Sequence, residues 1–271
     1  MNNSLMSKAP KFIIKCDDVG MCHSVNMAIK KFISREIPFN ASVMFTSGWY
    51  HEIIKELKNS PHVSPGIHLV LNSEWSNYKW GPVLGSSVPT IANKYGFFYT
   101  SQDTLLKSNP KIEEIEAELR AQIERAFSTG LDFYYLDSHM NILERRDDLK
   151  DLQDKLAKEY NLLIPGRFHE EILDLFYVPS ENKIRKLITK IKEFKPGQTY
   201  FDLFHLGVDN EELQALVDMH MLEVGIDYDV SENRQAELDA LCSAEFAAAL
   251  KIHGVKVITY RDIKKKSDSI F

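Results

Sequence analysis

The stretch KFIIKCDD, residues 11–18, decides how the rest of the chain is interpreted. Its first six residues, Lys11 to Cys16, have the length and apolar content of a buried strand. Two adjacent carboxylates, Asp17 and Asp18, follow at once. Like charges side by side repel each other unless a cation or a shared proton relieves them, so the pair indicates a metal site. Taken singly, either aspartate is as readily a helix cap or a turn residue.

Beyond this stretch, apolar runs of strand length alternate with longer amphipathic stretches, which is typical of β-α units around a parallel sheet. Further strands are predicted at residues 42–46, 65–71, 133–136, 162–164, 199–204 and 255–258. Helices are predicted at residues 24–34, 49–58, 111–128, 148–160, 181–194, 211–219 and 233–253. About seven strands separated by helices favour a distorted or incomplete (β/α) TIM-like barrel, and we expect residues 1–271 to form a single catalytic domain.

Residues 72–110 interrupt the alternation, because their aromatic, Gly and Pro residues show no sustained period. A loop insertion of this length inside a compact domain tends to be functional, as a lid or as a wall of a binding site. Trp75 and Trp80 lie in it. Two interpretations stay open for them: they stack on a sugar ring, or they hold the loop against the barrel.

Polar residues fall where the predicted strands end, and in barrels of this class the carboxyl ends of the strands form the catalytic face. Asp17 and Asp18 end the first strand, and His68 lies near the end of the third. Asp137 and His139 end the fourth, and His205 ends the strand at 199–204. A lone histidine in such a strand is more often a hydrogen-bonded core residue, but here four strands deliver acid or imidazole to one rim.

One carboxylate and two imidazoles, from Asp18, His68 and His139, form a mixed nitrogen and oxygen ligand set that suits zinc or another divalent ion. Such a set leaves positions open for water and substrate, so it is typical of a catalytic site. The chemistry it supports is hydrolysis at an amide or ester carbon. Asp17 is then the base that accepts the proton of the attacking water.

Four other residues are candidates with weaker signals. His205 either protonates the leaving amine or is a buried histidine at a strand end. Asp137, two residues before His139, either orients a ligand imidazole or makes a turn. Arg234 begins a predicted helix, where it either pairs with a site carboxylate or is exposed to solvent. His23 is interpreted as a helix-start residue next to the site.

The composition and net charge limit the classes of partner that the protein is expected to bind. The chain has 271 residues, 44% hydrophobic and 27% charged, with a formal net charge of −6. It therefore offers no broad basic face for nucleic acid, and a small neutral ligand fits better. The sequence holds no apolar run of membrane-spanning length and no apolar signal core, so we expect a cytoplasmic protein without a membrane partner. Three cysteines without paired spacing predict reduced, buried thiols. A homodimer is common at this size.

At this point the motifs resemble those of the YdjC-like carbohydrate deacetylases, and the likeness runs nearly end to end. Cys16-Asp17-Asp18-Val19-Gly20 is similar to the family's ADDFG opening. Gly66-Ile67-His68-Leu69 is similar to its GLHL segment, and Leu136-Asp137-Ser138-His139 to its DSH segment. The stretches around Arg234 and Glu237 and at 257–262 resemble its closing region.

The resemblance implies a barrel related to the polysaccharide deacetylases, a divalent metal such as Zn or Mg, and removal of the acetyl group from an acetamido sugar. It assigns Asp17 as base and Asp18, His68 and His139 as ligands. Two departures stand out. Met140-Asn141-Ile142-Leu143 replaces the further histidines of the family's DSHQHVH, and His205-Leu206-Gly207-Val208 lacks the proline of its HPGY-type segment. They imply a divergent substrate.

Two rival functions stay open. The ligand set does not itself choose the scissile bond, so another metal-dependent amidohydrolase or a phosphoesterase could use the same barrel. Few basic residues stand in the strand-end motifs to bind phosphate, which disfavours the phosphoesterase. The other rival is a catalytically weakened sugar-binding protein, and the retention of both Asp17 and Asp18 disfavours it.

Overall fold

A computed structural model describes residues 9–225 and 229–268, and within them a single parallel sheet organises the chain. Its strands are β1 Lys11–Val19, β2 Phe39–Met44, β3 Val63–Leu69, β4 Tyr135–Ser138, β5 Glu170–Ile172, β6 Thr199–Phe204 and β7 Lys256–Val257. Along the sheet the order is β4-β3-β2-β1-β6-β5, and β7 pairs with the first two residues of β1. The sheet curls into a half-barrel with helices outside, which confirms the predicted incomplete barrel.

The helices follow most of the strands, as β-α units require. They are α1 His23–Ile33, α2 Tyr50–Lys58, α3 Gln102–Lys107, α4 Ile112–Ser128, α5 Asp147–Glu159, α6 Lys183–Lys192, α7 Glu211–Gln214, α8 Met219–Glu223, α9 Val230–Cys242, α10 Ala244–Ile252 and α11 Tyr260–Asp268. Single 3₁₀ turns occur at Gly85–Ser87, Pro89–Ile91 and Ser180–Asn182, and His139–Glu144 is a longer 3₁₀ segment kinked at Met140 and Asn141. None of the helices in the described ranges is long and apolar enough to cross a membrane.

The two faces of β1 show how the sheet positions the site. Successive side chains of a strand point to opposite faces. Phe12, Ile14 and Cys16 join the large core between sheet and helices, whereas Ile13 joins a small apolar cluster with Tyr135, Phe201, Ile258 and Tyr260. Lys15 and Asp17 have the same parity as Ile13. The concave face is therefore apolar toward the amino ends of the strands, where this small cluster fills it. It becomes charged toward their carboxyl ends.

Close packing across this concave face requires one glycine in β3. A Cβ atom added at Gly66 would lie 2.1 Å from Cζ of the Tyr135 ring, which is fully buried. The Tyr135 hydroxyl and the Ser42 hydroxyl lie 2.9 Å apart. The glycine two residues before His68 thus lets an aromatic ring fill the barrel below the site.

Three predictions of secondary structure were wrong, and one helix was missed. The strand predicted at 162–164 is only an isolated bridge between Tyr135 and Leu163, and the edge strand is β5 instead. The helix predicted at 233–253 is two helices, because Ser243 is extended and its Oγ accepts the backbone N–H of Phe246 as an N-cap. The helix predicted at 211–219 is α7 and, further on, α8. Helix α11 was not predicted.

The segment at 72–110 contains α3 and two 3₁₀ turns but no strand of the sheet. Trp80 is buried in the large apolar core, and its Nε1 donates to the carbonyl of Asn72, at the start of the segment, at 2.8 Å. The carboxylate of Glu118 in α4 accepts the backbone N–H groups of Val83 and Leu84 at 2.9 and 3.0 Å. The insertion is therefore anchored at several points on the barrel.

Candidate active site

The end of β1 departs from regular strand geometry and turns both aspartates toward the pocket. Asp18 has φ of +58°, in the left-handed region that Asp adopts more readily than most residues, and the register with β2 shifts between Cys16 and Val19. Asp17 and Asp18 are 5% and 1% exposed, and both line the main pocket. The bulge is the local feature that lets two consecutive carboxylates serve one site.

His68 is oriented by its neighbour across the sheet. Strands β3 and β4 pair so that His68 lies directly beside Asp137. Nδ1 of His68 is 2.7 Å from Oδ1 of Asp137, and since a carboxylate only accepts, Nδ1 carries the proton. The lone pair is left on Nε2, which lies 3.6 Å from Oδ1 of Asp18.

His139 is oriented in the same way by Glu74, a residue of the insertion that the sequence did not single out. Nε2 of His139 lies 3.0 Å from each carboxylate oxygen of Glu74, which is 2% exposed. Nδ1 is then the lone-pair nitrogen, 3.1 Å from Oδ1 of Asp18. Glu74, and not Asp137, is thus the carboxylate behind His139. Asp137 does contact a predicted ligand imidazole, but it is the imidazole of His68 and not that of His139, because the pairing of β3 with β4 places Asp137 beside His68.

These contacts converge on one oxygen atom. Asp18, His68 and His139 each offer a ligand atom, and the three atoms lie within 4.8 Å of one another. Oδ1 of Asp18 is buried and makes no hydrogen bond of good geometry among the described residues. Two imidazole lone pairs and one carboxylate oxygen facing each other are a donor set that a divalent cation satisfies. The residues present therefore fit a bound metal ion.

The charges of the site favour the same conclusion. Around it stand four carboxylates and two cationic side chains, from Asp17, Asp18, Glu74, Asp137, Lys15 and Arg234. With both imidazoles neutral, two negative charges remain. One divalent ion or two protons would balance them.

Without an ion, the imidazoles attract protons. Burial opposes the charged form of His68, but the carboxylates of Asp137 and Asp17 outweigh it and raise the pKa of His68 to about 9. Burial likewise opposes the charged form of His139, yet Glu74 and Asp18 raise its pKa well above the ordinary value. The site therefore selects positive charge, which a proton or a metal ion can supply.

Arg234 pairs with a site carboxylate, as one of its two predicted roles requires. It is 4% exposed, and its guanidinium Nη2 donates to Oδ2 of Asp18 at 2.5 Å. Its Cζ also lies 5.7 Å from the centre of the Trp75 ring. Although burial opposes ionisation of Asp18, Arg234 and His139 outweigh it and hold the pKa of this carboxyl well below its ordinary value. Asp18 is thereby kept charged and fixed.

Asp17 has a different partner, Lys15, which the sequence interpretation did not include. Nζ of Lys15 lies 2.5 Å from Oδ1 of Asp17 and 2.5 Å from Oδ2 of Asp137, and all three side chains are buried. Burial raises the pKa of Asp17, although Lys15 and His68 oppose the effect. A raised pKa makes this carboxylate a stronger base than an exposed one. The signal for Lys15 was its position two residues before Asp17 on the same face of β1.

His205 lies on the same rim but is held only through its backbone. Its N–H donates to Oε2 of Glu237 at 2.5 Å, and Glu237 is in turn paired with the buried Lys183 at 2.7 Å. The imidazole contacts Phe176, with ring centres 5.3 Å apart, and its Nδ1 has no hydrogen-bond partner among the described residues. Burial lowers the pKa of His205 to about 3, and Arg234 and Lys15 act in the same direction.

The pocket in front of these residues has a volume of about 470 Å³. Asp17, Asp18, His68, His139, His205, Arg234 and Trp75 all line it. Trp80 is not among the lining residues, and its ring packs against Tyr78 and His139, with ring centres 5.4 and 6.2 Å apart. The structure thus favours the loop-anchoring role for Trp80. Trp75 lines the pocket although it is only 2% exposed.

Other lining residues were missed by the sequence interpretation. Phe176 and Tyr177 follow β5, and Tyr177 is 64% exposed. Met140 and Asn141, directly after His139, both have positive φ, at 53° and 54°. The side chain of Gln102 donates to the carbonyl of Met140. None of these could be found from the strand ends, because Gln102 lies at the start of α3 in the insertion and the others lie in segments that follow the strands.

Comparisons with known sequences agree with the resemblance seen in the motifs. A model of the YdjC-like protein family matches residues 11–252. A carbohydrate deacetylase of Brevibacillus brevis is 31% identical over 158 residues, which are 58% of this chain and 59% of that protein. A carbohydrate deacetylase of Geobacillus stearothermophilus is 27% identical over 264 residues, covering 93% of this chain and 98% of that protein.

Solved structures share the fold. An Enterococcus faecalis protein described as a cellobiose-phosphate cleavage protein superposes with a TM-score of 0.73 at 20% identity, over 94% of this chain and 99% of that one. The Xyl-CE4 domain of a multidomain xylanase, from the hindgut metagenome of Trinervitermes trinervoides, gives a TM-score of 0.52 at 9% identity, over 96% and 91%. These structures share the fold of this chain, which agrees with the predicted incomplete barrel.

Proposed function

The chain belongs to the YdjC-like protein family, and from that premise we propose that it hydrolyses the N-acetyl group of an acetamido sugar with the help of a divalent metal ion. Full-length relatives that carry the name carbohydrate deacetylase support this reaction. The observation on which the proposal depends most is the convergence of Asp18, His68 and His139 on a buried oxygen, with Asp17 beside them in an open pocket.

The metal ion would be held by Asp18, His68 and His139. Two imidazoles in a set of three favour zinc or a similar transition ion over magnesium, which prefers oxygen ligands. When bound, such an ion supplies Lewis acidity that makes a carbonyl carbon easier for water to attack. Asp137 and Glu74 fix the imidazoles, so the ligand set is oriented before any ion arrives.

Asp17 is the proposed general base. It takes a proton from the attacking water at its carboxylate, which burial has made more basic. Its contact with Lys15 fixes the side chain beside the metal ligands. Asp18, by contrast, is held charged by Arg234 and is suited to binding a cation and not to accepting a proton.

His205 is the proposed donor of a proton to the leaving nitrogen. Because burial lowers its pKa to about 3, it holds no proton at neutral pH before the reaction. The proton that Asp17 has taken from water is the one available to reach His205 or the leaving amine directly. His205 therefore acts after Asp17, and its loss is expected to cost less than the loss of Asp17.

The pocket suits a sugar of one or two rings. Its volume of about 470 Å³ falls within the usual range for small-molecule sites. Its lining includes the aromatic side chains of Phe176 and Tyr177 and the hydrogen-bonding side chains of Asp174, Asn141 and Gln102. Sugars present both apolar faces and hydroxyl groups, so this combination supports the substrate class that the family suggests.

A phosphoesterase is the weaker interpretation. The cationic side chains along the described pocket wall are Arg145 and Arg234. Arg234 is bound to Asp18, and the half-exposed Arg145 pairs with Asp103 at 2.9 Å. Carboxylates of Asp174 and Asp218 stand nearby, and they would repel a phosphate.

The cytoplasmic location and the homodimer stay predictions.

The test measures acetate release from a panel of acetamido mono- and disaccharides, with metal content determined on the same samples. Asp17→Asn is expected to lower turnover by about 10²- to 10⁴-fold while metal content is kept, since only the base is lost. Asp132→Asn, at an exposed carboxylate outside the pocket, is the matched control. If Asp17→Asn releases acetate as fast as the wild type, Asp17 is not the base. If no sugar in the panel yields acetate, the proposed activity fails.

A further inference from the structure

A second group of potential metal ligands lies next to the first. Asp17, His68 and Asp137 each offer a ligand atom, the three atoms lie within 4.8 Å of one another, and all three side chains are buried. His68 belongs to both groups, with Nε2 toward Asp18 and Nδ1 toward Asp137. This barrel could hold a pair of metal ions if His68 lost its Nδ1 proton to solvent and bridged the two ions as an imidazolate.

The ammonium group of Lys15 is already located between the carboxylates of this second group. It lies 2.5 Å from an oxygen of Asp17 and 2.5 Å from an oxygen of Asp137. The side chain is 5% exposed, and Lys15 lies on the same face of β1 as Asp17. Oδ2 of Asp137 also accepts a hydrogen bond from Ser42 at 3.0 Å, so the carboxylate is held on two sides.

We propose that Lys15 is a built-in counter-cation that fills the second group, so that the site binds one metal ion per chain and Asp17 stays a base instead of becoming a ligand. This inference rests on the proposed metal site. Lys15 touches neither the ion nor the substrate in this account. It is a positioning residue that acts through Asp17 and Asp137.

The balance of charge supports the proposal. Lys15 and Arg234 offset two of the four carboxylates around the site, and one divalent ion offsets the other two. A second divalent ion would leave an excess of positive charge in a buried place, which is costly. Removal of Lys15 leaves Asp17 and Asp137 without their shared cation, and a second metal ion is the natural replacement.

The number of metal ions bound per chain tests the proposal directly, and its measurement needs no substrate. Protein stripped with a chelator is titrated with Zn²⁺ by calorimetry, and the ions per chain are counted by mass spectrometry after desalting. The wild type is expected to bind one ion per chain. Lys15→Met is expected to bind two, and the double variant Lys15→Met with Asp137→Asn is expected to return to one. Lys11→Met, on the same strand but away from the site, is the matched control and should bind one.

Manganese gives a second readout that separates the site from adventitious surface binding. Because His68 belongs to both groups, two Mn²⁺ ions there would be close neighbours and would give a spin-coupled paramagnetic resonance spectrum. Lys15→Met is expected to show this coupling and the wild type to show uncoupled Mn²⁺. Lys15→Gln, which removes the charge and keeps an amide donor, is used with the same expectation if Lys15→Met does not fold.

Two results would overturn the proposal. One is a wild type that takes up two ions and gives the coupled spectrum, a result that needs no variant. The other is a folded Lys15 variant that still binds a single ion at saturating metal. Failure of the proposed deacetylation would instead appear as absence of acetate with every sugar tested, whatever the number of ions bound.

Discussion

Apart from His220 in α8, the histidines that line the pocket come from the strand ends, and they are of two kinds that differ in the group bonded to the ring. His68 and His139 each have a carboxylate at one nitrogen, Asp137 at 2.7 Å and Glu74 at 3.0 Å, and the opposite nitrogen faces Asp18. His205 has no such carboxylate, and its Nδ1 has no hydrogen-bond partner among the described residues. In the first kind, the carboxylate orients the ring so that the lone pair of the opposite nitrogen can bind a cation. The second is held neutral by burial and suits a hydrogen bond or a proton transfer.

The largest expected difference between the two kinds is in metal content. His139→Ala removes one of three ligands and is expected to abolish both metal retention and acetate release. His205→Ala leaves the ligands intact, so metal content should match the wild type while turnover falls by about 10²-fold, the low end for loss of an acid or base group. Metal analysis after desalting and acetate assays on both variants check this. Loss of metal from His205→Ala would contradict the distinction.

A smaller effect is expected when only the carboxylate behind a ligand is changed. Glu74→Gln keeps the shape of the side chain but removes its charge, and the amide can turn either an acceptor or a donor toward His139. Partners of this kind typically contribute about 10- to 100-fold in metal affinity or activity. Competition with a chelator of known affinity measures the change. Glu114→Gln, at a carboxylate bonded to Thr90 in the insertion, is the control and should leave metal affinity unchanged.

The smallest expected effect concerns stability against pH. Folding lowers the pKa of His205 from 6.5 to about 3. Between these two pH values His205 is therefore protonated in the unfolded chain and neutral in the folded chain. The contribution of His205 is therefore fully present above pH 6.5 and is lost as pH falls toward 3. When the pH is lowered from 8 to 5, the free energy of unfolding of the wild type should therefore fall by about 1 to 2 kcal/mol more than that of His205→Gln. Urea unfolding of both proteins at the two pH values tests this, and an identical pH dependence would contradict it.

The sequence predicted the residues that lie at regular strand ends and missed those that do not. Asp17, Asp18, His68, His139 and His205 were found because the carboxyl ends of parallel strands meet at one rim, and all of them line the pocket. Glu74 was missed because it lies in an insertion without a period. Only the folded chain shows that this loop returns to His139.

Lys15 was missed for a different reason. The alternation of side chains along β1 places Lys15 on the same face as Asp17. The sequence therefore indicated their contact, but the predicted site did not include this lysine. Asp137 was assigned to His139 by nearness in sequence, whereas pairing of β3 with β4 places it beside His68. Edge strand β5 was missed because Glu170–Ile172 is short, mostly exposed and lacks an apolar run.

One divalent ion at Asp18, His68 and His139 is proposed to work with Asp17 in amide hydrolysis. The most direct test of this proposal is a titration of metal-stripped protein with Zn²⁺ in which bound metal and acetate release from an acetamido sugar are measured on the same samples. Activity is predicted to rise in proportion to occupancy and to level off at one ion per chain. Full acetate release from the metal-free protein, or activity that appears only with a second ion, would contradict the account.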